Sequence, residues 1–263
     1  MRLFLALALL AASSLANAAI KTQEIPYQSA DGTRLIGYYA YDDAIKGKRP
    51  GVVVVHEWWG LNDYTKRRAR DLAALGYSAL AIDMYGDGKN TEHPKDALAF
   101  MQAALKDSAA SSARFKAGLD LLKQQAQTDP DKVAAIGYCF GGAVVLNAAR
   151  QGVPLAGVVS FHGALATQTP AEPGKVKAKI LVEHGALDSM VTAENVAAFK
   201  NEMDKAGADY TFVSLDGAKH GFSNPDADRL GHGDHGGPDI GYNKAADEKS
   251  WADMQAFFKK IFG

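Results

Sequence analysis

The stretch Val133-Ala134-Ala135-Ile136-Gly137-Tyr138-Cys139-Phe140-Gly141-Gly142 constrains the fold more than any other part of the chain. An apolar run of strand length ends in Gly-x-Cys-x-Gly and passes at once into a segment of helical character reaching Arg150. A strand that turns directly into a helix needs neighbours without bulk, because the two elements approach closely at the turn. The residue at the turn is held in strained backbone, and its side chain projects beyond the carboxyl edge of the sheet. Here that residue is the only cysteine of 263 residues. A lone cysteine forms no intramolecular disulfide, so its thiol is either reactive or buried and inert. The flanking glycines favour the reactive reading.

The rest of the chain alternates in a way that fits such a turn. Ile25 to Gln28 and Leu35 to Tyr41, separated by Asp31-Gly32, predict an antiparallel hairpin. Gly51 to Val55 is a continuous β-branched run, expected of a strand buried on both faces of a parallel sheet. Asn62 is placed to cap a helix running through Ala74 and closed by Gly76. Strands are expected at Tyr77 to Ile82, Val133 to Tyr138, Ala156 to Phe161, Lys179 to His184 and Tyr210 to Leu215. Helices are expected at Pro94 to Gln127, Gly142 to Arg150 and Thr192 to Ala206. A last helix carries Trp251, Met254, Phe258 and Ile261 at helical spacing, a core-packing pattern. The expected fold is α/β: an α/β-hydrolase fold, a mostly parallel sheet with helices on both faces and an N-terminal antiparallel hairpin. No linker divides residues 19–263, which read as one domain.

The N-terminus has its own character. Met1-Arg2, the apolar run Leu3 to Leu10 and the Ala-x-Ala pattern ending at Ala18 predict a secretory signal over residues 1–18, hence a secreted or periplasmic protein. That run is too short to span a bilayer, and no other segment is apolar enough, so no membrane is expected for the mature form. The formal net charge is -1 with 22% charged residues, which gives no ground for a nucleic-acid partner. The chain is expected to act as a monomer on a small molecule.

In an open parallel sheet, chemistry gathers at the carboxyl ends of the strands. The residues just past the expected strand ends are His56-Glu57-Trp58-Trp59, Asp83-Met84-Tyr85, Cys139, His184-Gly185-Ala186-Leu187-Asp188 and His220-Gly221-Phe222. Nucleophile, then Asp, then His is the chain order of an α/β-hydrolase triad. A free thiol is mostly protonated at neutral pH, so Cys139 needs a base, and His220 is the candidate. Asp188 would fix the tautomer of His220 and stabilise its imidazolium. An isolated Asp188 would read as a cap for the helix opening near Thr192. The backbone N–H groups of Phe140 and Trp58 are candidates for the oxyanion hole, and Trp59, Tyr85 and Phe222 for an aromatic pocket. His56, His162 and His184 read as structural histidines. His232 and His235 flank Asp234 without the spacing of a strong metal site, so no metal and no cofactor is expected.

The Gly-Tyr-Cys-Phe-Gly-Gly elbow, Glu57 after the first buried strand, His184 to Asp188 and His220-Gly221-Phe222 together resemble the dienelactone hydrolases (carboxymethylenebutenolidase-like). The resemblance runs from about Ile25 to the C-terminus. It implies a Cys139–His220–Asp188 triad, with Glu57 as a carboxylate that contacts the thiol and takes part in its activation. Dienelactone-cleaving members hold the substrate carboxylate with arginines, one after the strand ending near Asp83 and one just past the histidine. Here those places read Met84 to Asp87 and Ser223-Asn224, leaving Lys89 or Arg229 as the substitutes to consider. Asn224 to Tyr242 reads as an added loop after the histidine. The expected activity is hydrolysis of a small ester or lactone through a thioester acyl-enzyme. The alternatives are the same machinery on a thioester or peptide, or a non-catalytic binding or scaffold protein with a redox-sensing thiol.

Overall fold

Along β3 (Arg49–Val55) the four valines are fully buried, because helices cover both faces of the sheet at this strand. Val53 and Val55 face one layer and Val52 and Val54 the other, as the two-residue period of a strand requires. Burying each such side chain stabilises the fold by about 1.5–3 kcal/mol. The computed structural model describes residues 20–231 and 239–263. The signal segment and the His232, Asp234 and His235 group lie outside the described residues.

The eight-stranded sheet has the order β1-β2-β4-β3-β5-β6-β7-β8. β1 (Ile20–Gln28) and β2 (Arg34–Asp42) form the N-terminal antiparallel pair, and β2 lies antiparallel to β4 (Ser78–Ile82). From β4 onward neighbouring strands are parallel, through β3, β5 (Thr128–Tyr138), β6 (Gly157–Phe161), β7 (Lys179–Gly185) and β8 (Tyr210–Leu215). α1 (Asp63–Ala74) and α7 (Lys244–Phe262) cover one face through Leu72, Ala73, Met254 and Phe258. α3 (Ser108–Lys123), α4 (Phe140–Arg150) and α5 (Ala193–Ala206) cover the other through Phe115, Leu119, Val145 and Phe199.

Several boundaries differ from expectation, among them the starts of β1 at Ile20 rather than Ile25 and of β5 at Thr128 rather than Val133. The long helix expected from Pro94 to Gln127 is two, α2 (Pro94–Leu105) and α3, because Asp107 leaves helical geometry and caps α3 by accepting from the N–H groups of Ala109 and Ala110. The helix after the elbow starts at Phe140 rather than Gly142, with Cys139 itself at the cap. The segment after His220 contains a short helix, α6 (Ala227–Gly231), and a backbone bridge from His220 to Ile240. On α7, Met254 and Phe258 are buried while Trp251 and Ile261 are only half-buried.

The elbow works by close approach. A Cβ on Gly137 would lie 2.0 Å from the Gly141 carbonyl oxygen, and one on Gly141 would lie 2.4 Å from that of Val55. Both glycines are therefore obligatory for seating α4 on β3 and β5. Cys139, between them, takes φ +54° and ψ -115°. That conformation costs a residue other than glycine about 1–3 kcal/mol, and the packed glycines on either side hold it.

Candidate active site

The strand ends deliver one cluster at the carboxyl edge. Cys139 is only half-buried, whereas Glu57, Asp188 and His220 are 4%, 6% and 5% exposed. Asp188 follows β7 in a tight turn, where its Oδ1 accepts from the Met190 N–H at 2.9 Å. Its Oδ2 lies 2.9 Å from Nδ1 of His220. Gly185 makes this pairing accessible, since a Cβ there would stand 2.5 Å from the Ala218 carbonyl in the loop leading to His220. The helix cap that Asp188 would otherwise serve belongs to Thr192, which forms a capping box with Asn195.

Nε2 of His220 is buried and has no hydrogen-bond partner among the described residues. It lies within interaction range of Cys139. Burial opposes charge on the ring, but the negative charge of Cys139 and the hydrogen bond to Asp188 outweigh it. The His220 pKa is pushed up to about 10.

Glu57 is buried, and its carboxylate has a hydrogen-bond partner other than the thiol. Its Oε2 accepts from Asn224 Nδ2 at 2.7 Å, and no hydrogen bond joins it to Cys139. The amide is itself held, because Asn224 Oδ1 accepts from the Asp226 N–H at 3.0 Å. Burial pushes the Glu57 carboxyl up to about 7, against the lowering effects of Asn224 and the charge on His220. Of the proposed substitutes for the absent arginines, Arg229 is exposed and committed to Glu92, with guanidinium–carboxylate distances of 2.9 and 2.8 Å.

Phe140 N–H is the first of α4, where an α-helix supplies no partner of its own. The Trp58 N–H also has no partner among the described residues, while the Trp58 carbonyl accepts from the Tyr85 hydroxyl at 3.0 Å. Tyr85 packs against Phe140 and lies close enough to Cys139 for that charge to add to burial in raising its hydroxyl pKa. Two of the expected pocket residues do not reach the surface. Trp59 is 1% exposed and packs with Ala97 and Ala227, and Phe222 is 0% exposed and packs edge-on against His162. Trp58 is half-buried, and Leu187 and Met190, which flank Asp188 in sequence, are exposed.

His56 is structural, as its strand-end position without a motif suggests. Its Nδ1 donates to the Glu57 carbonyl at 2.6 Å, and its Nε2 accepts from the Met84 N–H at 3.2 Å. Sequence reasoning misses Asn224 as the partner of Glu57. It also misses a buried polar chain of Arg68, Tyr64, Ser223 and His162 behind His220. Their only sequence signal is proximity to the His220 motif or to the α1 cap. A groove of about 590 Å³ between α3 and α4 contains none of Cys139, Asp188, His220 or Glu57. The site is thus recognised by its chemistry rather than by volume.

Comparison with known proteins gives the same direction. Residues 35–262 match the model of the dienelactone hydrolase family. "Protein usf" of Aquifex pyrophilus is 29% identical over 235 residues, covering 88% of this chain and 95% of that protein. Among solved structures, a dienelactone hydrolase-like promiscuous phosphotriesterase, P91, from metagenomic libraries is 38% identical with a TM-score of 0.84. That match covers 94% of this chain and 100% of the other. A structure titled m3DLH is also 38% identical, with a TM-score of 0.85 over 93% of this chain and 100% of that one.

Proposed function

This chain belongs to the dienelactone hydrolase family, and from that premise we propose that it is an exported cysteine hydrolase of small, uncharged esters and lactones. The observation that carries the reading is one juxtaposition. The half-buried thiol of Cys139 sits at a strained elbow beside a buried His220 whose Nε2 is free and whose Nδ1 is held by Asp188.

The thiolate of Cys139 attacks the acyl carbon, and the oxyanion forms against the N–H groups of Phe140 and Trp58. The C–O bond to the leaving alcohol breaks as His220 Nε2–H donates its proton to that oxygen. A thioester remains on Cys139. Neutral His220 then takes a proton from water, whose oxygen attacks the thioester, and the collapse releases the acid and returns the thiolate–imidazolium pair. Asp188 orients His220 in both halves. Glu57, held by Asn224, takes the thiol proton when the pair first forms beside an already protonated His220, and returns it when the thiol re-forms. An uncharged substrate is supported by the Glu57 carboxyl inside the site, by Asn224 where a guanidinium was sought, and by Arg229 being paired with Glu92.

The test is a panel of p-nitrophenyl acetate, a neutral lactone, an anionic dienelactone and a phosphotriester, ranked by kcat/KM. The phosphotriester belongs in it because the P91 relative is described as a promiscuous phosphotriesterase. Turnover of the neutral ester and lactone above the dienelactone is the expected order. Tight ligand binding with no turnover of any member overturns the reading in favour of a scaffold.

Glu57 gives the pH dependence. A proton acceptor must be ionised, so kcat/KM should rise with pH through a midpoint near 7, where Glu57 loses its proton. Glu57→Gln should abolish that step and lower kcat/KM by roughly 10²-fold, the lower end for general base catalysis. An unchanged midpoint in Glu57→Gln excludes this role.

Export rests on the Arg2, Leu3 to Leu10 and Ala-x-Ala pattern. N-terminal sequencing of exported protein should begin at Ala19, and an intact Met1 on that material rules out cleavage there.

A further inference from the structure

His162 follows β6 in the left-handed region, at φ +40°, which is uncommon outside glycine. Its N–H donates to the Glu183 carbonyl at 2.8 Å, which anchors this backbone to β7. The side chain is fully buried, and its ring meets the His220 ring edge-to-face at 5.1 Å and that of Phe222 at 5.1 Å. Nε2 lies 2.9 Å from Ser223 Oγ, which lies 2.8 Å from the Tyr64 hydroxyl. The Tyr64 oxygen accepts from Arg68 Nε at 3.4 Å. Arg68 is fixed in turn, donating to the Ser223 carbonyl at 2.8 Å and pairing with Asp247 on α7.

A guanidinium only donates, so the Tyr64 oxygen accepts from Arg68, and we orient the Tyr64 hydroxyl towards Ser223 Oγ, its other partner among the described residues. The Ser223 proton then goes to His162 Nε2. In that orientation His162 is the uncharged Nδ1–H tautomer, its Nδ1 buried and without a partner among the described residues. Burial, the charge on His220 and the charge on Arg68 all act against a second proton on the ring and keep it uncharged. The groups facing His162 are thus His220 from the β8 loop, Arg68 and Tyr64 from α1, and Tyr138 from β5.

We propose that His162 is a positioning residue for His220: the chain Arg68–Tyr64–Ser223–His162 fixes an uncharged imidazole edge-to-face against the His220 ring, holding that ring on Asp188 with Nε2 towards Cys139. The inference rests on His220 being the base. The His220 imidazolium thus meets an uncharged ring at 5.1 Å rather than a second cation. A charged or wandering ring at this place would repel or release it.

The test deletes single hydroxyls. Ser223→Ala and Tyr64→Phe should each lower kcat for p-nitrophenyl acetate about 10-fold with KM within about two-fold, since small misplacements of a catalytic group act on the chemical step. Because both cut the same chain, the double variant should lose no more than Ser223→Ala alone. In ¹⁵N imidazole spectra the wild-type His162 should show the Nδ1–H tautomer, and Ser223→Ala should show a mixture. Unchanged kcat with only a lowered Tm overturns the proposal, as do additive losses or a tautomer mixture in the wild type. His220→Ala separates the two layers. If it is active, the function reading fails. If it is inactive while Ser223→Ala and Tyr64→Phe turn over normally, only the positioning role fails.

Discussion

Cys139→Ala is expected to lower kcat for p-nitrophenyl acetate by about 10⁴-fold or more, the scale seen when a nucleophile is removed from a concerted triad. The loss should be in the chemistry rather than in folding. Cys139 is half-buried at the tip of the elbow, so removing its sulfur vacates space at the surface rather than in the core. The strained φ of +54° is imposed by Gly137 and Gly141, which the substitution leaves in place. Circular dichroism and Tm should therefore be close to wild type. Cys139→Ser should keep weak turnover, since His220, Asp188 and the Phe140 and Trp58 N–H groups all survive, but a hydroxyl is a poorer nucleophile beside a histidine tuned to pair with a thiolate. Mass spectrometry adds an independent readout: wild-type protein quenched during turnover should carry the acyl group on Cys139. Esterase activity retained in Cys139→Ala rejects the nucleophile.

What the sequence reveals and what it conceals divide along a physical line. The elbow is legible because two glycines and a nucleophile at fixed spacing are a backbone requirement, and backbone requirements are local. Asp188 and His220 are legible because parallel strands end at one edge, so the residue after each strand is placed by topology alone. The break between α2 and α3 is hidden because the cap at Asp107 competes with a helical pattern that continues on either side of it. Trp59 and Phe222 read as pocket residues because aromatic side chains beside a motif look alike whether they turn outward or inward. The direction is decided by α6 and His162, which lie far off in sequence. Asn224 and Glu57 are 167 residues apart, and Tyr64 and Ser223 are 159 apart. Nothing local to either partner announces such pairs. The least legible feature is a buried polar network, whose members are common residue types with no spacing rule.

Asp188→Asn should be nearly as damaging as loss of the nucleophile, on the order of 10³–10⁴-fold in kcat, although it changes no volume. The reason lies in the two oxygens. Oδ1 already accepts from the Met190 N–H, so in the variant the carbonyl oxygen of the new amide must keep that place and its NH₂ must face His220 Nδ1. Two donors cannot share that contact. Neutral His220 then carries its proton on Nε2, where thioester hydrolysis needs an acceptor for the water proton. The imidazolium also loses the carboxylate that helps lift its pKa to about 10. With that support gone, His220 gives up its proton at lower pH, so the ion pair persists over a narrower range. The alkaline limb of kcat/KM should accordingly move to lower pH, while KM stays within about two-fold because Asp188 is buried away from substrate. A variant within ten-fold of wild type, with an unmoved alkaline limb, would show that Asp188 serves the loop after β7 and not the histidine.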